Sequence, residues 1–80
     1  MNINDINKFA RTLTYKGQAT IVRLKNEKEY VGYFENNTVP VVRMQSNKWN
    51  FMVFDFENEG QKLIEINGND IVYIEIKNLI

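Results

Sequence analysis

Eighty residues carrying ten Lys or Arg, ten Asp or Glu and no His have a formal net charge of zero, which argues against a strong, sequence-blind phosphate binder, since such proteins rely on summed positive charge. With neither Cys nor His in the chain, disulfides and thiolate or imidazole metal ligands are excluded as staples, and no cofactor is indicated; self-association is the remaining source of burial for a domain this small. The longest apolar runs, such as Phe51 to Phe54, are far short of the roughly 20 residues that cross a bilayer, and the opening MNINDINKFARTL lacks the basic and apolar regions of a secretory signal. One cytoplasmic domain, residues 1–80, is the expectation.

Charge is unevenly placed: residues 1–48 hold eight Lys or Arg against four acids, and residues 49–80 hold two against six, so the halves differ in sign unless a twisted sheet interleaves them. Twelve of the 80 residues are Asn, a bias that AT-rich coding produces without selection on the protein and that points only to a low-GC microbe or virus, such as a bacterium or its phage.

In chain order, Ile6, Phe9, Ala10 and Leu13 fall at helical spacing and predict a helix over about 3–13. Asn2 or Asn4 can cap it, Asp5 suits its positive end, and Tyr15-Lys16-Gly17 ends it, with Gly17 free to turn left-handed. From Gln18 the period becomes two, giving one strand to about Leu24 and a second from Tyr30 to Phe34, joined by a polar turn at Lys25 to Lys28. Gly32 in mid-strand marks a sharp bend or a close backbone approach, the means by which a short sheet curls. Asn26-Glu27 is a poor two-residue turn because Glu disfavours φ > 0, so a longer turn is expected.

Residues 36–48 read as a long connection, in which Pro40 confines Val39 to Met44 to an edge strand or a loop. Trp49 to Glu57, Gln61 to Ile66 and Ile71 to Lys77 are three further strands. Asn67-Gly68, between the last two, is the strongest short hairpin signal. Phe51 to Phe54 and Ile71 to Ile74 are continuous apolar runs without a polar face, which predicts burial on both sides, either as barrel interior under the helix or as an interface between subunits. The fold class is therefore mainly β: an N-terminal helix followed by a strongly bent five-stranded antiparallel sheet forming a small open barrel.

Three stretches, in order, resemble the Sm-like (LSm) family, as a divergent member: Val22-Arg-Leu24-Lys-Asn26-Glu-Lys-Glu-Tyr30-Val-Gly32-Tyr-Phe34 with its bending glycine, Trp49-Asn50-Phe51-Met52-Val53-Phe54-Asp55, and Ile66-Asn67-Gly68-Asn69-Asp70-Ile71-Val72-Tyr73-Ile74. The resemblance implies a homo-oligomeric ring of five to seven copies, in which the fourth strand of one subunit pairs with the fifth of the next. Ile64, Ile66, Val72 and Ile74 are then the candidate interface residues. It also implies a single-stranded RNA site in pore loops, where a base stacks on a side chain, an amide reads its edge and a cation supports it. The places that the family fills with an Asp, an aromatic stacker and an Asn hold Ser46, Lys48 and Asn50 here, and the Arg of the last motif is replaced by Asn67. Lys48, Trp49, Asn50, Asn67 and Gly68 are the candidate RNA-binding residues, set against a plainer reading in which Trp49 is a core aromatic and the asparagines are turn residues.

Two functional expectations follow: a ring that holds U- or A-rich single-stranded RNA, weakened by salt, or a homo-oligomeric assembly module that kept the fold and lost RNA. An enzyme is not expected, because the single serine, Ser46, has no base placed to activate it. Asp55, Glu57 and Glu59 could in principle form an acid and base pair or hold a hard cation, but a solvated charged edge is the plainer reading.

Overall fold

The computed structural model describes residues 1–12, 14, 16–35, 47–55 and 57–79. Expectations for Leu13, Tyr15, Ser46 and the extended piece at Val39 to Met44 lie outside the described residues. Helix α1 spans Ile3–Arg11, followed by strands β1 (Gln18–Leu24), β2 (Glu29–Phe34), β3 (Lys48–Asp55), β4 (Gly60–Asn67) and β5 (Ile71–Asn78).

Asn2 caps α1, its side-chain oxygen accepting from the Asn4 N–H at 2.7 Å. The helix closes two residues before the periodicity suggested. Thr12 has extended backbone and its hydroxyl donates to the Lys8 carbonyl at 2.7 Å, a local bond by which Thr competes with continued helix. Gly17 does take a left-handed φ of 85°, but as the bend into β1, where its carbonyl accepts from the Leu79 N–H at 2.7 Å.

The five strands form one antiparallel sheet in the order β4-β3-β2-β1-β5. The Asn67-Gly68 hairpin is corrected: β4 and β5 do not pair, and a single 3₁₀ turn at Gly68–Asp70 carries the chain from one edge of the sheet to the other. The outer strands of a flat five-stranded sheet stand about 19 Å apart, whereas the four steps from Asn67 to Ile71 reach at most about 14 Å. The sheet must therefore curl until its edges approach, although no hydrogen-bonded ladder among the described residues closes it.

Gly32 permits part of that curl. It lies opposite Val53 in the β2–β3 ladder, and a Cβ placed on it would collide with the carbonyl oxygen of Met52, so β2 approaches β3 there more closely than any side chain allows. The β1–β2 turn spans Lys25 to Lys28 and is longer than two residues, as expected; within it the Leu24 N–H donates to the Lys28 carbonyl at 2.8 Å, and Glu27 does adopt a left-handed φ of 68°. The Asn26 side chain stabilises it by accepting from the Lys28 N–H at 3.0 Å.

The core lies between α1 and the concave face of the sheet. Ile6 and Ala10 of the helix pack with Val22, Phe34, Trp49, Phe51, Ile66, Ile71 and Ile74. Phe34 meets Phe51 edge-on at 5.1 Å between ring centres and Trp49 at 6.0 Å, geometries that aromatic quadrupoles favour.

Candidate functional site

Strand alternation sorts the candidate RNA-binding residues. Along β3, Trp49 and Phe51 point into the core, while Lys48 is exposed and Asn50 half-buried on the other side. The β3–β4 ladder sets Lys48 opposite Asn67 and Asn50 opposite Glu65, and directly opposed residues share a face. Lys48, Asn50 and Asn67 are thus brought to one outward surface, where Lys48 and Asn67 are both exposed. Trp49 and Gly68 are not on it. Trp49 is 1% exposed and its ring offers no face to a base, so the core reading of this residue is the one realised.

The residue that organises this end of the sheet is Asn47, which the sequence reading passed over as part of a connection. Its side-chain oxygen accepts from the Trp49 indole N–H at 2.9 Å, and its amide donates to the Asn69 side chain at 3.0 Å and to the Met1 carbonyl at 3.3 Å. Its backbone carbonyl accepts from the Gly68 N–H at 2.7 Å. Asn47 holds a left-handed φ of 52°, a conformation Asn tolerates better than most residues. Gly68 is buried against it: a Cβ there would collide with the Asn47 side chain and sit 2.6 Å from the Ile6 Cδ1. The Met1 amine donates to the carbonyls of Gly68 and Ile71, each at 2.8 Å, and Asn67 accepts from the Asn69 N–H at 3.0 Å. The available signal was an Asn placed two residues before the chain's single Trp, with a Gly-containing turn elsewhere for it to meet.

The candidate interface residues divide as well. Ile66 and Ile74 belong to the core, and Ile64 is half-buried against it. Val72 is exposed, and the structure adds Leu63 on β4 and Tyr73 on β5, which the sequence reading had not singled out; these three are 52%, 53% and 43% exposed. β4 and β5 are the two outer strands of the sheet, so large apolar side chains stand on both of its edges.

Tyr73 is held in place. Arg23 lies over its ring at 5.7 Å and is itself paired with Glu29 at 3.0 Å, while the Tyr73 hydroxyl donates to Glu75 at 3.0 Å. That hydrogen bond, with desolvation next, raises the pKa of the phenol.

Of the acids at the β3–β4 turn, Asp55 serves the turn: its carboxylate accepts from the Asn58 backbone at 3.2 Å and side-chain amide at 2.8 Å. The side-chain bond to Asn58 leads the effects that lower its pKa. No group of three His, Cys, Asp or Glu that could hold a metal ion occurs among the described residues, and no helix among them is long and apolar enough to cross a membrane. No protein-family model, curated protein or solved structure matches the chain.

Proposed function

We propose that this chain is a self-assembling module built on an Sm-like plan, in which copies join head to tail through their outer strands into a closed ring of five to seven. The observation that carries the reading is the pair of outer strands, β4 and β5, each without a second strand neighbour among the described residues, with Leu63 exposed on one and Val72 and Tyr73 on the other. The resemblance calls for the fourth strand of one subunit to pair with the fifth of the next, and this requires both strands to be edges of the single chain. An exposed edge with apolar side chains is an aggregation hazard unless a partner strand covers it. Two different edges meeting head to tail form a closed ring if the rotation permits.

A second reading, single-stranded RNA held on the ring, is favoured by one observation: Lys48 and Asn67 stand opposite each other and exposed, with Asn50 on the same face. Against it stand the net charge of zero, Asn67 in place of the family's Arg, and the burial of Trp49. The assembly reading is therefore preferred.

Charged residues at the edges test it. Leu63→Asp and, separately, Val72→Asp are expected to convert the oligomer to folded monomers in size-exclusion chromatography with light scattering, with circular dichroism unchanged. Retention of the oligomer by both variants would contradict edge pairing. Titration of a labelled U-rich oligonucleotide at two salt concentrations separates the second reading, which requires binding that weakens at high salt and is lost in Lys48→Ala.

A further inference from the structure

The Asn67-Gly68 pair carries chemistry besides turn geometry. Of the twelve asparagines, Asn67 alone precedes a glycine, and without a Cβ a glycine nitrogen meets little obstruction in approaching the preceding side chain. We infer that Asn67 is a latent deamidation site, held unreactive by the contact of Gly68 with Asn47, and that its conversion to a carboxylate records the opening of this corner of the sheet.

The reaction needs no cofactor and no oxidant. The Gly68 backbone nitrogen gives up its proton and forms a bond to the Asn67 Cγ; the bond from Cγ to the side-chain nitrogen breaks, and that nitrogen leaves as ammonia with the proton. Water then opens the cyclic imide at one of its carbonyls. One opening leaves aspartate at position 67, and the other leaves isoaspartate, in which the backbone runs through the side-chain carbon.

In the closed corner each requirement is blocked. The Gly68 N–H donates to the Asn47 carbonyl at 2.7 Å, which holds the proton in place and the nitrogen turned from the Asn67 side chain. Asn67 has extended backbone with ψ 117°, an angle that rotates the Gly68 nitrogen away from the Asn67 Cβ, and its ladder position opposite Lys48 keeps it there. The Asn67 oxygen accepts from the Asn69 N–H at 3.0 Å, which pins the side chain over the turn. Gly68 is buried, with the Asn47 side chain and the Ile6 Cδ1 filling the space beside it. Ring closure therefore demands that the Gly68 hydrogen bond break and the end of β4 let go, a local opening and not a side-chain rotation. The two products act differently. Aspartate caps a helical turn as well as asparagine does, and it sets a carboxylate opposite exposed Lys48, cancelling the cation of that face. Isoaspartate adds a backbone atom that the ladder and the Asn47 contact cannot both accommodate, so it keeps the corner open.

Incubation at mildly alkaline pH, followed by peptide mapping with mass spectrometry and separation of aspartate from isoaspartate products, tests the inference. In concentrated urea Asn67 is expected to convert ahead of the other asparagines, and in the native protein to convert more slowly by about tenfold or more, in proportion to the rarity of opening. Asn47→Ala, shown to be folded by circular dichroism, is expected to raise the native rate severalfold at Asn67 and not at Asn58 or Asn78. Equal conversion of Asn67 in native and unfolded wild type would overturn the protection. A native rate unchanged in Asn47→Ala would overturn the assignment of that protection to Asn47. Should Asn47→Ala fail to fold, Asn47→Gly, which keeps the backbone angle but removes the side chain packed against Gly68, is read in its place with the same outcomes.

Discussion

Asn47 does three jobs, two with its side-chain amide and one with an unusual backbone angle that Asn tolerates. Its oxygen satisfies the buried Trp49 indole, its amide reaches Asn69 and the Met1 carbonyl, and its φ of 52° brings its backbone carbonyl to Gly68. Removing the partner of a buried donor costs about 1–3 kcal/mol, and a left-handed φ at Ala adds about 1 kcal/mol. Asn47→Ala is therefore expected to lower stability in urea by about 2–4 kcal/mol, summing those two effects, and Asn47→Gly by less, because Gly keeps the backbone angle. The single Trp provides the fluorescence signal. Equal stability of both variants and the wild type would refute the role given to Asn47. Little of this was visible in the sequence, because the partners Met1, Gly68, Asn69 and Trp49 are scattered along the chain and meet only when the sheet curls.

Among the elements, the strands were legible and their pairing was less so. Alternation placed β2 and β4 within one or two residues of their observed bounds, because Phe34 and Ile66 are buried and their neighbours are not; β1 and β5 were placed as closely, although Ala19 to Val22 are buried without a break. The failure came at Asn67-Gly68, whose local signal is a hairpin, while tertiary structure sends β5 to β1. Local chemistry specifies a reversal but not the strand that receives it. Gly32 was read correctly as a point of close approach, and Gly32→Ala, which must displace the β3 backbone at Met52, is expected to cost about 3 kcal/mol or more in chemical denaturation; a cost below about 1 kcal/mol, the ordinary effect of a benign substitution, would show that the bend does not need it. The β1–β2 turn has the expected span, Lys25 to Lys28, but places Glu27 in the left-handed region. Glu27→Gly removes that strain and is expected to stabilise the chain by about 0.5–1 kcal/mol, measured by the same denaturation; a loss of stability would contradict the strained-turn account.

At the scale of the whole molecule, one structural fact dominates: in an 80-residue chain with no Cys and no His, β4 and β5 are the outer strands of the sheet formed by the described residues, with Leu63, Val72 and Tyr73 exposed on them. The sequence made self-association the expected staple from length and composition, and placed it on the fourth and fifth strands through the Sm-like resemblance. It did not distinguish which apolar residues are spent on the core, as Ile66 and Ile74 are, from those left outward, because consecutive apolar residues such as Ile71 to Ile74 erase the alternation that would have sorted them. Of the candidate RNA-binding residues, Lys48, Asn50 and Asn67 share an outward face, while Trp49 is buried.

The most direct test is the mass of the purified protein in solution by multi-angle light scattering, across a range of concentrations. The account predicts one closed species at five to seven times the 9.5 kDa of a single chain, unchanged on dilution because a ring breaks only when two contacts are lost at once. A monomer at every concentration would contradict it.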